Sequence, residues 1–433
     1  MTARTLRRAL LAGSAALAAA FVAALGPASA STVPDGPLEG LRIVISNDDS
    51  MQNSRPNGSD GEGLYELRKV FCDAGADVVV VAPWGYQSGA GTAVTNSGTF
   101  HMQEADTLPE RYAADCGDAP SQGAVFGVCQ PIDGRCTPES RSATPVDTVK
   151  LAVRGGLQHV LGWTERPDLV LSGINSGPNL GSSVNDSGTA GAALSALSVN
   201  TPGFAISASA TGADHQAVYE RTARFAVRYV EEVVRQDALT TEYVTNINFP
   251  RLTADQSPAG VVVAPVGTGT TARHSYNPSG ERSFTVGLSG CQAGDTTCVA
   301  ETRPDADYLM NRAGYITVTP LTPDRTHLAA TPEIGSVISE LSTVAVRASA
   351  TGRCIAGTAY VAALVRNDDT VPLDVTLSTP FGERSVSDVQ PGAAAYQSFS
   401  SRSRSVEAGT SRLTASGDGR SVEVDVDYAA VAC

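Results

Sequence analysis

The chain has 433 residues, and this length predicts two or three domains. Its 31 lysine and arginine residues are outnumbered by 45 aspartate and glutamate residues, which gives a formal net charge of −14. Because a nucleic-acid polymer requires a basic stripe that neutralises phosphates, the charge excludes such a polymer as the ligand.

The first thirty residues are predicted to be a secretory signal peptide. They begin with Arg4, Arg7 and Arg8, continue through an alanine- and leucine-rich stretch over 9–25, and end in small residues at 28–30. The pattern predicts a secreted, extracellular protein and does not distinguish general secretory export from twin-arginine export. No later stretch is apolar over the length that a bilayer requires, so no transmembrane segment is expected.

Short apolar stretches rich in β-branched residues predict the strands of the main domain. The stretches over 41–46, 76–83 and 167–173 are nearly continuous, as expected for parallel strands that are covered on both faces. Helical patterns separate them, and the order of strand, helix and strand repeats along the chain. This repetition predicts an α/β fold with a Rossmann-like, doubly wound and mostly parallel sheet.

Capping residues mark the ends of the predicted helices. The first helical pattern ends at Gly75, a typical C-cap residue. The helical pattern over 144–163 begins with Thr144 as N-cap, Pro145 at the first helical position and Asp147 at the third. This spacing predicts a capping box.

Two regions depart from the alternation of strands and helices. Residues 103–141 hold three cysteines and many Gly, Pro and Asp residues, so we interpret them as an inserted loop pinned by disulfides. From about residue 341 the pattern alternates and is rich in turns, which predicts a small β-sandwich domain over 341–433. The predicted organisation is a signal peptide over 1–30, an α/β domain over 31–335, and this sandwich.

Eight cysteines in an exported chain predict four disulfides. Cys291 with Cys298 would close a small loop, and Cys354 with Cys433 would join the ends of the C-terminal domain. The other four allow three pairings, among which the sequence does not choose: Cys72, Cys116, Cys129 and Cys136. A zinc site is the competing interpretation, and the lack of a Cys-x-x-Cys pair in the sequence disfavours it.

Polar loops follow each of the three predicted strands. Asn47, Asp48 and Asp49 come after the first strand, a Gly/Ser-rich loop over 84–95 after the second, and a loop over 172–189 after the third. Because ligands bind beyond the carboxyl ends of parallel strands, we expect these loops to meet at one edge of the sheet.

Together the loops supply two carboxylates, a serine hydroxyl and an asparagine carbonyl. Adjacent carboxylates repel each other unless a cation or strong donors lie between them. An all-oxygen set of this kind favours Mg²⁺, Mn²⁺ or Ca²⁺ over zinc or copper. The "SGT" at 187–189 falls where a helix begins, and N–H groups at a helix start bind oxyanions. These are the groups that hydrolysis of a phosphate ester requires.

Six segments carry a specific resemblance. In chain order they are Asn47-Asp48-Asp49, "VAPWGYQSGAGTAVT", "TPVD", "SGINSGPNLG", Ser187-Gly188-Thr189, and "TRPDADYLMNRAGYITVTPL" with Asp307. Their order and spacing over about residues 41–325 resemble the SurE (survival protein E) family of metal-dependent 5′/3′-nucleotidases. The resemblance implies an enzyme that hydrolyses nucleoside 5′/3′-monophosphates with a divalent metal, Mg²⁺ or Mn²⁺, with Ca²⁺ as a further option. Since relatives are dimers or tetramers, it also implies a homodimer.

The resemblance assigns a role to each matched residue. It implies that the metal ligands are Asp48, Asp49, Ser88 and Asn175. It places catalysis on Asp48 and Asp49. The phosphate- and substrate-binding residues that it implies are Asn47, Asn179, Ser187, Gly188 and Thr189. All five histidines fall outside the matched motifs and are expected to be structural or exposed.

Two departures from the family pattern keep an alternative open. Asp186 stands where a Tyr commonly precedes the SGT motif, and a carboxylate beside a phosphate site repels substrate. The loop after Asp49 is also longer than usual. The alternative is a catalytically weak scaffold of the same fold that acts as a secreted binding protein.

Overall fold

The computed structural model describes residues 36–433 except for five short gaps at 53–60, 211–213, 254, 292–293 and 327. The predicted signal peptide over 1–30 therefore lies outside the described residues, as does most of the long loop after Asp49. The chain divides into two compact units between Pro323 and Asp324. Among the described residues, no helix is long and apolar enough to cross a membrane.

Most strands of the first unit belong to one sheet. The strands of this unit are β1 (Arg42–Ser46), β2 (Asp77–Pro83), β3 (His101–Glu104), β4 (Val125–Cys129), β5 (Leu169–Asn175), β6 (Gly203–Ala208), β7 (Val244–Phe249), β8 (Gly260–Val263), β9 (Ala272–Pro278), β10 (Phe284–Gly290) and β11 (Tyr315–Leu321). Nine described strands form a sheet in the order β3-β4-β2-β1-β5-β6-β7-β11-β8, while β9 and β10 pair as a separate hairpin. From β4 to β7 all neighbours in the sheet run parallel. The predicted doubly wound, mostly parallel α/β sheet is confirmed.

Helices cover both faces of this sheet. The helices of the first unit are α1 (Glu62–Asp73), α2 (Pro145–Leu151), α3 (Leu157–Leu161), α4 (Gly188–Leu197), α5 (His215–Arg235) and α6 (Asp307–Arg312). In β1, Ile43 packs into the cluster that contains residues of α1 and α5, whereas its neighbour Val44 packs into the cluster that contains Val149 of α2 and Ala192 of α4. Because successive strand residues point to opposite faces, both faces need apolar side chains, which explains the continuous apolar stretches.

The prediction that residues 103–141 form only an inserted loop is wrong in part. Val125–Cys129 is a buried strand, β4, that pairs in parallel with β2 inside the main sheet. Its apolar signal is only five residues long and contains Gly127, where a Cβ would lie 2.7 Å from the Trp84 ring. The dense Gly, Pro and Cys residues around this short strand concealed it.

The helical pattern over 144–163 is interrupted. The predicted capping box is present, with the Thr144 side chain accepting from the Asp147 N–H group. The helix then breaks before α3, since Arg154 and Gly155 have non-helical backbone angles and Gly155 has φ of +131°. Glycine adopts this left-handed conformation without a steric penalty.

The structure contains four disulfides, and the described residues include no free cysteine. The predicted Cys291–Cys298 and Cys354–Cys433 bridges are confirmed. The pairings that the sequence left open are Cys72–Cys116 and Cys129–Cys136. The first bridge ties α1 to the segment before β4, and the second lies at the end of β4.

The second unit consists of a helix followed by small antiparallel sheets. Its elements are α7 (Thr331–Leu341), β12 (Val346–Ile355), β13 (Thr358–Asn367), β14 (Leu373–Thr379), β15 (Gly382–Val389), β16 (Ala394–Ser400), β17 (Ser405–Val406), β18 (Gly409–Gly417), β19 (Arg420–Tyr428) and β20 (Val431–Ala432). Sheets β12-β13-β16 and β15-β14-β18-β19 contribute to one apolar core, for example through Val365, Phe399, Leu377 and Leu413. This is the predicted β-sandwich architecture.

A close approach between α1 and β5 provides a test of the fold. We expect Gly63→Ala to lower the stability of the first unit by about 1–3 kcal/mol, because overpacking forces neighbouring atoms apart. A Cβ at Gly63 would lie 2.9 Å from both the Ile174 Cβ and the Tyr219 ring. The measurement is the midpoint of thermal unfolding. Gly117→Ala is the control, since its Cβ would meet nothing closer than 3.9 Å, and equal midpoints for both variants would contradict the packing described here.

Candidate active site at the carboxyl edge of the sheet

The order of the strands creates a crevice at the carboxyl ends of β1 and β5. The chain runs from β1 to β2 and β4 on one side, and then crosses to β5, β6 and β7 on the other side. Ligands of doubly wound sheets bind at such a switch point. Asp48 and Asp49 follow β1, and Asn175 is the last residue of β5. The topology therefore brings the loops after β1 and β5 together, as predicted.

A cavity of about 500 Å³ opens at this edge and contains part of the predicted site. The predicted residues that line it are Asp48, Ser88, Asn175, Asn179 and Ser187. The other predicted residues are buried next to these and contact one another or Asp48: Asn47, Asp49, Gly188 and Thr189. All three polar loops therefore contribute to one cavity wall.

Asp48 is a buried carboxylate held by the start of α4. It is 2% exposed, and Thr189 donates its hydroxyl to Asp48 Oδ1 at 2.6 Å. Burial raises the pKa of Asp48, while hydrogen bonds from the Thr189 hydroxyl and from the Gly188 and Thr189 N–H groups oppose this rise. The residue at 188 must be glycine, since a Cβ would lie 2.7 Å from the Asp48 Cβ. In this structure the start of α4 thus supports Asp48 directly.

Asp49 lies on the β5 side of the same crevice. Its Oδ2 atom accepts from the Ser176 N–H group at 2.8 Å and from Asn47 Nδ2 at 3.4 Å. Asn47 also donates to the Ile174 carbonyl, and its own Oδ1 atom is buried with no hydrogen-bond partner among the described residues. Two adjacent buried carboxylates and an unsatisfied amide oxygen leave this crevice rich in acceptors and poor in positive charge.

The loop that carries Ser88 is held in place by the start of α2. Asp147 accepts from the Thr95 N–H group at 2.9 Å and from the Thr95 hydroxyl at 2.8 Å. Thr144 donates its hydroxyl to the Ala93 carbonyl at 2.7 Å. The capping box therefore has two functions, because it begins α2 and also anchors the loop after β2.

A network of buried polar residues fixes Asn179, and the sequence interpretation missed it. Asn248 accepts from the Asn179 N–H group at 2.7 Å, while Asn246 and Asn248 both donate to the Asn179 carbonyl. The Asn179 side chain donates to the Ser207 hydroxyl at 2.8 Å. The signal was available, because two asparagines at two-residue spacing lie in strand β7, in which every residue is buried.

Asp307, the acidic residue of the last matched segment, joins two loops behind the cavity. It is fully buried and accepts from the N–H groups of Gly181 at 3.1 Å and Gly267 at 2.9 Å. Burial raises the pKa of Asp307, and these N–H donors oppose the rise. Asp307 thereby connects the loop after β5 to the segment that leads into β9.

His274 is exposed, in agreement with the expectation that the histidines are structural or exposed. His274 lines the cavity, together with Tyr86, Leu288 and Tyr308, which the sequence interpretation also missed. His274 lies far along the chain from the matched loops, so its spacing carried no signal. His159 is exposed, and His215 contacts Glu62 at 3.0 Å. His101 lies in β3, and His327 lies outside the described residues.

Comparison with known proteins identifies the family of this chain. The profile of the family described as Survival protein SurE matches residues 43–273, more than half of the chain. This chain belongs to the SurE family. The 5′-nucleotidase SurE of Coxiella burnetii (strain Dugway 5J108-111) is 28% identical over 304 residues, which cover 70% of this chain and 96% of that protein. The 5′/3′-nucleotidase SurE of Citrobacter koseri is 31% identical over 295 residues, which cover 67% and 93%.

A crystal structure of the SurE protein from Aquifex aeolicus is similar to this chain at 26% sequence identity, with a TM-score of 0.48. The match covers 69% of this chain and 99% of the chain in that structure. The SurE profile match includes all nine predicted site residues, and it ends at Arg273, one residue before His274.

The burial of Asp48 generates a prediction about stability. In the metal-free protein, Asp48→Asn is expected to raise the free energy of unfolding by about 0.5–2 kcal/mol, because it removes a buried charge at a functional site. Since the pKa of Asp48 is raised in the folded protein, its destabilising effect disappears as the pH falls and the carboxyl group takes up a proton. The increase in the free energy of unfolding caused by Asp48→Asn should therefore become smaller towards acidic pH.

Thermal unfolding in the presence of a chelator, at neutral and at acidic pH, measures this effect. Asp118→Asn is the matched control, because Asp118 is an exposed carboxylate and should not change the midpoint. A lower midpoint for Asp48→Asn at neutral pH would contradict the prediction.

Proposed function

We propose that this chain is a metal-dependent phosphomonoesterase that hydrolyses nucleoside 5′- and 3′-monophosphates to nucleoside and phosphate. The observation that carries the proposal is the buried Asp48–Asp49 pair, which lies at the switch point of the sheet and is contacted by the start of α4. The names of two relatives, 5′-nucleotidase SurE and 5′/3′-nucleotidase SurE, support the choice of substrate.

The residues at the crevice fit a hard divalent cation. Asp48, Asp49, Ser88 and Asn175 would hold it through carboxylate, hydroxyl and amide oxygens, which are the ligands that Mg²⁺ and Mn²⁺ prefer. Asn175 donates through Nδ2 to the Gly177 carbonyl at 2.6 Å, so its Oδ1 atom is the one able to bind a cation. The buried Asn47 Oδ1 atom adds a further acceptor beside the two carboxylates. When bound, the cation supplies the positive charge that polarises the phosphoryl group.

The protein's own residues bind and orient the substrate. Asn179 and Ser187 present polar groups at the cavity wall, and the buried network around Asn179 keeps its backbone fixed. Thr189 and Gly188 hold Asp48 in position from behind the wall. Because these hydrogen bonds lie within the protein, they hold the wall residues in place before substrate binds, and such preorganisation favours electrostatic catalysis.

We also propose that the chain is exported and that Asp48 and Asp49 act outside the cytoplasm. Four disulfides support this proposal, since disulfides persist in oxidising compartments, and the basic and apolar pattern of residues 1–30 agrees with it. The amino-terminal sequence of the protein recovered from culture medium tests it. The homodimer stays a prediction.

The activity test compares the parent with Asp48→Asn. We expect the parent to release inorganic phosphate from nucleoside monophosphates with Mg²⁺ or Mn²⁺, and the variant to lose about 10²–10³-fold in kcat/KM, because one charged group at the reacting centre is removed. Asp118→Asn, an exposed carboxylate, should retain the parent's rate. Absence of phosphate release by the folded parent across a panel of nucleotides would refute the proposed function.

Asp186 supports a second candidate function, that of a weakly catalytic binding protein. It is exposed and lines the cavity, where its charge opposes an incoming phosphate. If the chain is an enzyme, we expect Asp186→Asn to lower KM for nucleotides by about threefold to tenfold, since an exposed like-charge contact costs about 1 kcal/mol. The difference in KM between the parent and Asp186→Asn should decrease at high salt. If the parent and Asp186→Asn both bind Mn²⁺ tightly and neither turns over nucleotides, the function as a binding protein is favoured instead.

A further inference from the structure

One of the two faces of the β9–β10 hairpin forms a wall of the cavity. Its register pairs Ala272 with Gly290 and His274 with Leu288, and all four of these residues line the cavity. Side chains alternate between the faces of a strand, so the intervening Arg273 points away, where it pairs with Asp295 at 2.9 Å. The pleat of the hairpin therefore places the histidine, and not the arginine, against the cavity.

His274 differs in chemical type from the other titratable groups that line this cavity. The titratable side chains that line the cavity are Asp48, Asp186, Tyr86, Tyr308 and His274. Among the described lining residues, only the histidine can carry a positive charge or release a proton while leaving a neutral group. Its ring is exposed, and it is stacked on Tyr276 with ring centroids 6.5 Å apart, which orients the imidazole.

We propose that His274 is a catalytic residue that protonates the leaving oxygen of the nucleotide. The inference rests on the proposed nucleotidase function and extends it to a residue outside the motifs that resemble the family. The two carboxylates at the crevice bind a cation in this account, so neither is available as a proton donor. His274 lines the same cavity as Asp48 and Asn175, so a substrate that fills this cavity would contact it.

In the proposed step, the oxygen of a water molecule forms a bond to phosphorus, and the bond between phosphorus and the ribose oxygen breaks. The electron pair of that bond stays on the ribose oxygen, which takes a proton from the His274 imidazolium and leaves as a nucleoside hydroxyl. The water keeps one proton on the phosphate and releases the other to solvent, from which the neutral imidazole regains its proton. General acids of this kind contribute about 10²–10⁴-fold.

A comparison of leaving groups tests the assignment. Ribose hydroxyl is a poor leaving group that requires protonation, whereas p-nitrophenolate leaves without it. We expect His274→Asn to lower kcat for adenosine 5′-monophosphate by at least about 10²-fold, and to change kcat for p-nitrophenyl phosphate little. His159→Asn, which replaces an exposed histidine remote from the cavity, is the matched control and should leave both rates unchanged.

The outcomes separate this inference from the proposed function. A parent that hydrolyses neither substrate refutes the nucleotidase itself. A parent that hydrolyses both, together with a His274→Asn variant that loses both rates equally or retains both, refutes the role of His274 alone. NMR of the metal-free full chain tests contact without turnover. The ring resonance of His274 is assigned by its absence in His274→Asn, and adenosine 5′-monophosphate should shift this resonance in the parent. No shift of that resonance would also overturn the inference.

Discussion

The structure depends on one electrostatic constraint, the burial of two adjacent carboxylates at the edge of a sheet. Asp48 and Asp49 are 2% and 1% exposed, and burial of like charges is costly unless donors or a cation compensate. The protein supplies donors from two directions, with Thr189 at the start of α4 contacting Asp48 and Ser176 after β5 contacting Asp49. These donors are N–H and O–H groups rather than basic side chains, which leaves the positive charge to be supplied by a ligand.

The surrounding fold forms the crevice around the two carboxylates and holds its loops in place. The crossing of the chain from β2 and β4 to β5 creates the crevice, and the capping box of α2 anchors the loop that carries Ser88 through Asp147. Buried asparagines of β7 hold Asn179, and Asp307 ties the loop after β5 to the segment before the hairpin. These hydrogen bonds fix the loops that form the wall against which a substrate would bind.

Much of the fold and most of the site could be predicted from local signals. The continuous apolar stretches predicted β1, β2 and β5, and Thr144 with Asp147 predicted the start of α2, because these signals depend on neighbours in the chain. The position of Asp48 and Asp49 after the first predicted strand located the acidic pair, and the resemblance to the SurE family assigned its role. Strand β4 was missed because its five-residue signal lies among glycines and cysteines, and the pairings of Cys72 and Cys129 depend on where that strand packs.

His274 was missed for a different reason. It reaches the cavity through the register of a hairpin nearly a hundred residues beyond Asn175, and long-range placement of this kind leaves no pattern in a single sequence. The side chain that faces the cavity was likewise decided by the pleat, since a shift of register by one residue would have presented Arg273 instead. Local motifs thus predicted the acidic part of the candidate site, and tertiary structure was needed to identify the hairpin residues that line the same cavity.

A crystal structure of the protein grown with Mn²⁺, with anomalous scattering used to locate the ion, tests whether the Asp48–Asp49 pair binds a cation. We expect one ion per chain at the crevice, bound by carboxylate oxygens of Asp48 and Asp49 together with Ser88 and Asn175. A crevice without an ion at saturating Mn²⁺, or an ion bound elsewhere with Asp48 and Asp49 unchanged, would contradict it.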